Sequence, residues 1–385
     1  MNSSVGFENG LWRLIPKNHF VSMSFFREEP LINWGYTESV LFTAYDVCRS
    51  SDFWIDSVIR SGKTLKEAMT DLGFPKKTSM MADTGVFEME AKKAGIARSL
   101  GIDVDIALTN EEIFEAYRLS GADYFVSPDE IIQPTESSEE MNKKIEVIKH
   151  NFTDLLDEFP ARKIVAVIQG TNRSTITMIF DFYRSHGIRH FAIGGLIPLW
   201  RHDKELFKKT LNYVRKITKG NWLHAFGLPI LRLLPFYLHK VGVDSIDTSM
   251  LLYLSARRRY VVGFEIVPVR LVDFASCECV ACSVLSPKLH PRRYDFFMNL
   301  YIQNIVEAAK YSENPELARK KKVIAKESQI TGRRRQTDHR VESKTPRCHP
   351  RLGRLLKRRF RRTQDINMTN QVRVSTQTDA NSEPM

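Results

Sequence analysis

The chain has 385 residues, 43% of them hydrophobic and 26% charged, enough for one large domain or two ordinary ones with a sizeable core. No apolar run approaches the roughly 20 residues that span a bilayer, and the longest, LPILRLLPFYL, is interrupted by Arg232 and two prolines. The start, MNSSVGFENGLWRLIPKNHF, lacks the basic leader and apolar core of a secretory signal, so a cytoplasmic protein with no membrane partner is expected.

Short apolar runs recur along the chain with helical patterns between them. VLFTAYD (40–46) comes first, then SMMADTG (79–85). DYFVSPDE (123–130) follows the helical pattern NEEIFEAYRLSGA, and KIVAVIQG (163–170) follows MNKKIEVIKHNFTDLLDEF. HFAIGGL (190–196), WLHAFGL (222–228) and DSIDTSM (244–250) each follow a further helical segment, and FEIVPVRLVDF (264–274) is the last run. These runs are near-continuous rather than alternating, as parallel strands buried on both faces are. About eight strand–helix units in about 270 residues match a (β/α)8 barrel, which typically takes about 250. A doubly wound open sheet is the competing α/β architecture.

The expected organisation is an N-terminal segment (1–35), a barrel (36–315) with a small subdomain near 274–300, and a basic tail (316–385). Much of the formal net charge of +12 gathers in residues 333–364, and 331–385 is expected to be mostly disordered, with LGRLLKRRF as a short basic helix.

Each run ends on its C-terminal side in a residue with chemistry or in a glycine turn: Asp83, Asp129 with Glu130, Gln169, Gly194-Gly195, Gly227 and Asp247. In a (β/α)8 barrel those ends meet on one face, where active sites are built. Any one aspartate there also suits a helix cap or an Asx-turn. Asp244 precedes its strand, so a turn or cap role is expected for it. Two carboxylates facing one pocket suit chemistry at an acetal-like carbon, one attacking and one moving a proton. Gly194-Gly195 lets backbone approach a flat ligand, and a glutamine beside a carboxylate can read a nucleobase edge.

Of the five cysteines, Cys277, Cys279 and Cys282 fall within six positions, and His290 follows. Three thiols so spaced suit a structural zinc site that needs one more ligand. Buried free cysteines are the plain alternative.

These segments resemble the tRNA-guanine transglycosylases. Asp83-Thr-Gly-Val-Phe87 is similar to the family's DSGGF, Val167-Ile-Gln-Gly170 to VVQG, Phe191-Ala-Ile-Gly-Gly-Leu196 to YAIGGL, His224-Ala-Phe-Gly227 to HLMG, and Gly242-Val-Asp-Ser-Ile-Asp247 to GVDMFD. The order is collinear over roughly 79–282, and the cysteine cluster falls where the family's zinc site begins. The resemblance implies a (β/α)8 barrel with a zinc subdomain that exchanges guanine in a nucleic acid for a 7-deazaguanine base. It implies Asp247 as the nucleophile at C1′ and Asp83 as general acid/base. Asp129, Gln169, Gly194 and Gly195 would recognise the base, and Phe226 and Gly227 would line its stacking face. Arg257, first of three arginines after the Asp247 strand, would hold phosphate. Zinc would sit on Cys277, Cys279 and Cys282, and either His290 completes the site, or the metal is bound weakly, or it is absent.

The chain also departs from the family. Val86 replaces a glycine, Glu88 replaces a glutamine, Ile197-Pro-Leu-Trp200 stands in place of an SVGE-like turn, and Met298-Asn299 replaces the family's His-Asn. The expected partner is tRNA, with DNA as the alternative, and a homodimer or heterodimer stays open. A non-catalytic partner subunit and an unrelated (β/α)8 glycosidase are the competing functions.

Overall fold

Strands buried on both faces need cover inside and out, and a closed barrel wrapped in helices supplies both. The computed structural model describes residues 19–22, 39–49, 60–71, 76–85, 108–248, 250–262, 265–272, 300 and 304. Eight parallel strands pair in chain order: β1 (His19–Ser22), β2 (Ser39–Thr43), β3 (Ser79–Asp83), β4 (Tyr124–Val126), β5 (Ile164–Ile168), β6 (His190–Ile193), β7 (Trp222–Ala225) and β8 (Ser245–Thr248). The barrel closes where β8 pairs with β1, with Phe20 opposite Asp247.

Helices α1 (Ala44–Arg49), α2 (Leu65–Asp71), α3 (Asn110–Ser120), α4 (Ser138–Glu158), α5 (Arg173–Ser185), α6 (Leu196–His202), α7 (Lys204–Ile217) and α8 (Met250–Ala256) lie between and after the strands. Their starts are written locally. Thr109 with Glu112, and Ser137 with Glu140, form capping boxes at α3 and α4. Asn172 and Asp203 cap α5 and α7. Each satisfies amide donors that a first helical turn leaves unpaired.

Alternation along each strand separates two apolar regions. Val40 and Phe42 of β2, Ile164, Ala166 and Ile168 of β5, and Phe191 and Ile193 of β6 face outward into the main core with the helices. Leu41, Met81, Val126, Val165, Val167 and Ala192 face inward and fill the barrel, joined by Tyr124, Trp222 and Phe226. At the N-terminal end Tyr124 and Trp222 stack at 5.9 Å, and His190 meets both edge-on at 5.4 and 5.7 Å. This aromatic floor closes one end of the barrel, so the other end is the mouth.

Two aspartates brace the floor end. Asp123 accepts from the Met80 amide at 2.8 Å and from Lys66 Nζ of α2. Asp244 accepts from the Leu223 amide and from Arg215 Nη1 of α7, both at 2.8 Å. Each carboxylate ties the start of its strand to the preceding strand and to a helix cation. Asp244 is thus structural, but as a brace between strands and a helix rather than the turn or cap expected from its position.

Three assignments change. The run at 264–274 is not a barrel strand: its residues Glu265–Pro268 (β10) pair antiparallel with Arg259–Val262 (β9) in a separate hairpin. The strand that completes the barrel comes instead from His19–Ser22, inside the segment 1–35 set apart from the barrel. The helical pattern at 230–243 becomes a 3-10 turn, Leu231–Leu233, and a π-helical turn, Phe236–Val241, because Pro235 lacks the amide that a continuous helix needs. The readings on the cysteine cluster and the tail lie outside the described residues, Leu300 and Asn304 aside. No described helix is long and apolar enough to cross a membrane.

Phe152 of α4 is fully buried and packs on Tyr183 at 4.7 Å and on Phe182 at 5.6 Å, joining α4 to α5. Phe152→Ala is expected to cost about 3–5 kcal/mol, read as a lower midpoint in urea denaturation with little change in slope.

Candidate active site

The strand ends at the mouth carry the chemistry. Inward alternation continues past each apolar filler to a polar group: Met81 to Asp83 on β3, Val165 and Val167 to Gln169 after β5, Ala192 to Gly194 after β6, and Ser245 to Asp247 on β8. Asp129 joins them from the loop after β4, at 7% exposure.

Asp83 is half-buried, and its carboxyl is pushed up to about 7 from an ordinary 3.8. Loss of hydration raises it first, then the charges of Asp129 and Asp247, against the lowering effect of the Thr84 and Gly85 amides. The three carboxylates therefore act on one another electrostatically across the mouth. Among the described residues, no lysine or arginine forms an ion pair with Asp83 or Asp247, unlike the braced carboxylates at the floor.

Gln169 donates through Nε2 to Asp129 Oδ2 at 2.5 Å and is 2% exposed. Its Oε1 is buried without a hydrogen-bond partner. An orphaned buried carbonyl is unfavourable by about 1–3 kcal/mol unless a ligand completes it. Gly194 allows this arrangement by its lack of a side chain: a Cβ there would lie 2.2 Å from Gln169 Nε2.

Asp247 is held through one oxygen. The Gly227 amide donates to Oδ1 at 2.8 Å, and His224 Nε2 lies 3.4 Å from the same atom. Gly227 has φ +72°, a left-handed backbone that glycine adopts without strain and that turns its N–H toward β8. Tyr237, set in the π-helical turn, donates its hydroxyl to the Gly227 carbonyl at 3.3 Å and steadies that turn. Phe226 packs on the barrel filling with its ring 4.5 Å from His224. Behind the mouth, Tyr117 and Tyr183 donate to the carbonyls of Val126 and Val167. Burial, then nearby carboxylate charge, raises both phenols, so they stay neutral.

Asp83, Asp129, Gln169, Gly194, Gly195, Phe226, Gly227 and Asp247 thus all stand on strand ends or loops at the mouth. Arg257 is exposed in the turn between α8 and β9, one short helix beyond β8. Cys277, Cys279, Cys282 and His290 lie outside the described residues, and the described residues contain no other cluster suited to a metal. Sequence reasoning passed over His224 and Ser245. Each stands two positions before a residue it did select, Phe226 and Asp247, so period-two alternation would have placed both inside the barrel.

The family model described as Queuine tRNA-ribosyltransferase matches residues 55–292, more than half of the chain. The chain belongs to this family. No curated protein matches it. Membership supports a transglycosylase-like transferase acting with a nucleic acid, on a barrel whose mouth is built from the residues described above.

Because Asp83 is neutral more readily in the folded protein than in the unfolded chain, its contribution to stability is full below about pH 4 and is lost as pH rises through about 7. The ceiling is about 4 kcal/mol, reduced by the solvent that reaches this half-buried group. Asp83→Asn, which cannot ionise, should therefore melt above the parent protein, by more at pH 8 than at pH 5, in paired thermal denaturation curves.

Proposed function

We propose that the chain is a base-exchange transglycosylase that replaces guanine in tRNA by a 7-deazaguanine base through a covalent Asp247–ribose intermediate. The observation that carries this reading is the meeting of Asp83 and Asp247 at one mouth, one poised near neutrality and the other held by the Gly227 amide with the His224 imidazole 3.4 Å away. Two carboxylates in unlike environments take unlike roles.

The target nucleotide leaves its stack and enters the mouth. Guanine offers N–H donors on one edge, which the Asp129 carboxylate and the buried Gln169 Oε1 accept. Its flat face lies along Phe226, and the absence of side chains at Gly194 and Gly195 leaves room for the Gln169 amide that reads its edge. A carboxylate oxygen of Asp247 bonds to C1′ as the C1′–N9 bond breaks, and the electron pair leaves with guanine. Asp83 gives its proton to the departing base. The incoming 7-deazaguanine returns a proton from N9 to Asp83. Its nitrogen pair then forms the new bond to C1′ as the ester bond breaks and the Asp247 carboxylate is restored. Asp83 is suited to both transfers because a group near pH 7 gives and takes a proton with similar ease.

Arg257 and the basic tail are assigned to phosphate contact. The family's zinc is assigned to Cys277, Cys279, Cys282 and His290 as a structural ion, a donor set of thiols and imidazole that suits Zn²⁺. No step of the reaction uses it.

Incubation with labelled guanine and either bulk tRNA or duplex DNA is expected to label tRNA. Labelling of DNA alone would transfer the reading to that substrate. Labelling of neither, by a folded and zinc-replete protein, would overturn it in favour of a non-catalytic partner subunit. A stem-loop substrate should give a protein–RNA adduct stable in denaturing gels. Asp247→Asn should abolish it and lower exchange by on the order of 10³-fold or more.

Gly194→Ala forces Gln169 off Asp129 and should raise KM for the free base about tenfold. The overall fold, followed by circular dichroism, should be unchanged.

A further inference from the structure

Ser245, His224 and Asp247 form a line inside the barrel that the two-carboxylate reaction does not itself require. His224 is fully buried, and its Nδ1 lies 2.8 Å from Ser245 Oγ, itself 1% exposed. The other ring nitrogen, Nε2, faces Asp247 Oδ1 at 3.4 Å, long for a hydrogen bond in the free protein. Contacts of this kind tighten when a substrate closes the site.

The donor directions follow from chemistry. Among the described residues Nε2 makes no hydrogen bond in the free protein, and because an ionised carboxylate only accepts, closing the contact to Asp247 requires the ring hydrogen on Nε2. Nδ1 is then an acceptor, and the Ser245 hydroxyl must donate to it. The Gly227 amide donates to the same carboxylate atom, Oδ1, at 2.8 Å. Among the described residues no group donates to Oδ2.

We propose that His224, locked in its Nε2–H tautomer by Ser245, is a positioning residue that fixes the Asp247 carboxylate through Oδ1 and leaves Oδ2 as the atom that bonds to ribose C1′. This rests on the transglycosylase reading. During attack the Oδ2 pair forms the ester bond to C1′ while the C1′–N9 pair departs with guanine, and Oδ1 becomes the ester carbonyl. Its two donors stay in place. When the incoming base displaces the ester, charge returns to the carboxylate, and the Gly227 and His224 N–H groups stabilise it as a leaving group. The neighbours that face Asp247 electrostatically are Asp83 from β3, His224 from β7 and Tyr237 from the π-helical turn, and Asp129 faces Asp83. Among the described residues, His224 is the nearby side chain whose N–H can face this carboxylate.

Two measurements test this. In the free protein labelled with ¹⁵N-histidine, the His224 signals, assigned by their loss in His224→Gln, should show the Nε2–H tautomer at neutral pH. The Nδ1–H tautomer, or a fast mixture of the two, overturns the proposal whether or not the protein exchanges bases. In base exchange, His224→Phe should lower kcat about 10–100-fold with KM for tRNA changed less than about threefold. It should also move the low-pH limb of kcat/KM up by about one unit, because the anion loses a charge-assisted donor. His224→Gln, which keeps a donor, should recover part of both effects, and Ser245→Ala should lose about three- to tenfold. A His224→Phe protein that exchanges like the parent, with an unmoved limb, overturns the positioning role and leaves the transglycosylase reading intact. A parent protein that exchanges nothing overturns both.

Discussion

Mutual repulsion among carboxylates at the open end of the barrel is the constraint around which the rest of the structure is arranged. Asp83, Asp129 and Asp247 share one mouth, and burial and one another's charge lift Asp83 to about 7. Left to themselves, such groups would move apart or draw in a cation. They are held because each sits on or just after a strand whose two faces are both buried. The backbone cannot shift without disturbing the interior filling or the outer core. The β8–β1 closure that sets Phe20 beside Asp247 completes that restraint.

The opposite end of the barrel uses the same residue type to opposite effect. Asp123 and Asp244 each accept from a strand amide and from a helix cation, Lys66 or Arg215. Those carboxylates are satisfied, and they stitch strands to helices. Among the described residues, Asp83 and Asp247 meet amides, an imidazole and neighbouring carboxylates. The GVDSID segment holds one of each kind, three positions apart: Asp244 at the floor side with its arginine, and Asp247 at the mouth without one.

Much of this is legible in the sequence for a physical reason. Continuous apolar runs of four or five residues separated by amphipathic helices leave few architectures, and polar residues at the same end of successive runs must converge once the sheet closes. The limits are just as physical. HFVS is a short run with only Phe20 and Val21 apolar, and its strand character comes from pairing with β2 and β8 rather than from its own pattern. FEIVPVRLVDF is a stronger apolar run, yet of its described residues only Glu265–Pro268 form a strand, and that strand pairs with β9 outside the barrel. Local propensity cannot say which edge a strand will find. His224 and Ser245 went unselected because a buried histidine and serine look like core polar residues until a carboxylate is seen across from them.

The pairing of environments also bears on the proposal of exchange rather than hydrolysis at this mouth. A hydrolase using two carboxylates needs a place for water to attack after the covalent step. Here Asp129 pairs with Gln169, whose side-chain amide lies over the backbone at Gly194-Gly195, with one buried carbonyl left to be completed. In the proposed exchange a water could meet only that carbonyl, whereas a second purine-like base would meet it and bring a ring N–H to the carboxylate that gave up its proton. The incoming group would then be selected by the Asp129–Gln169 pair that released the outgoing one, and Asp83 would return to its starting state without a separate proton source.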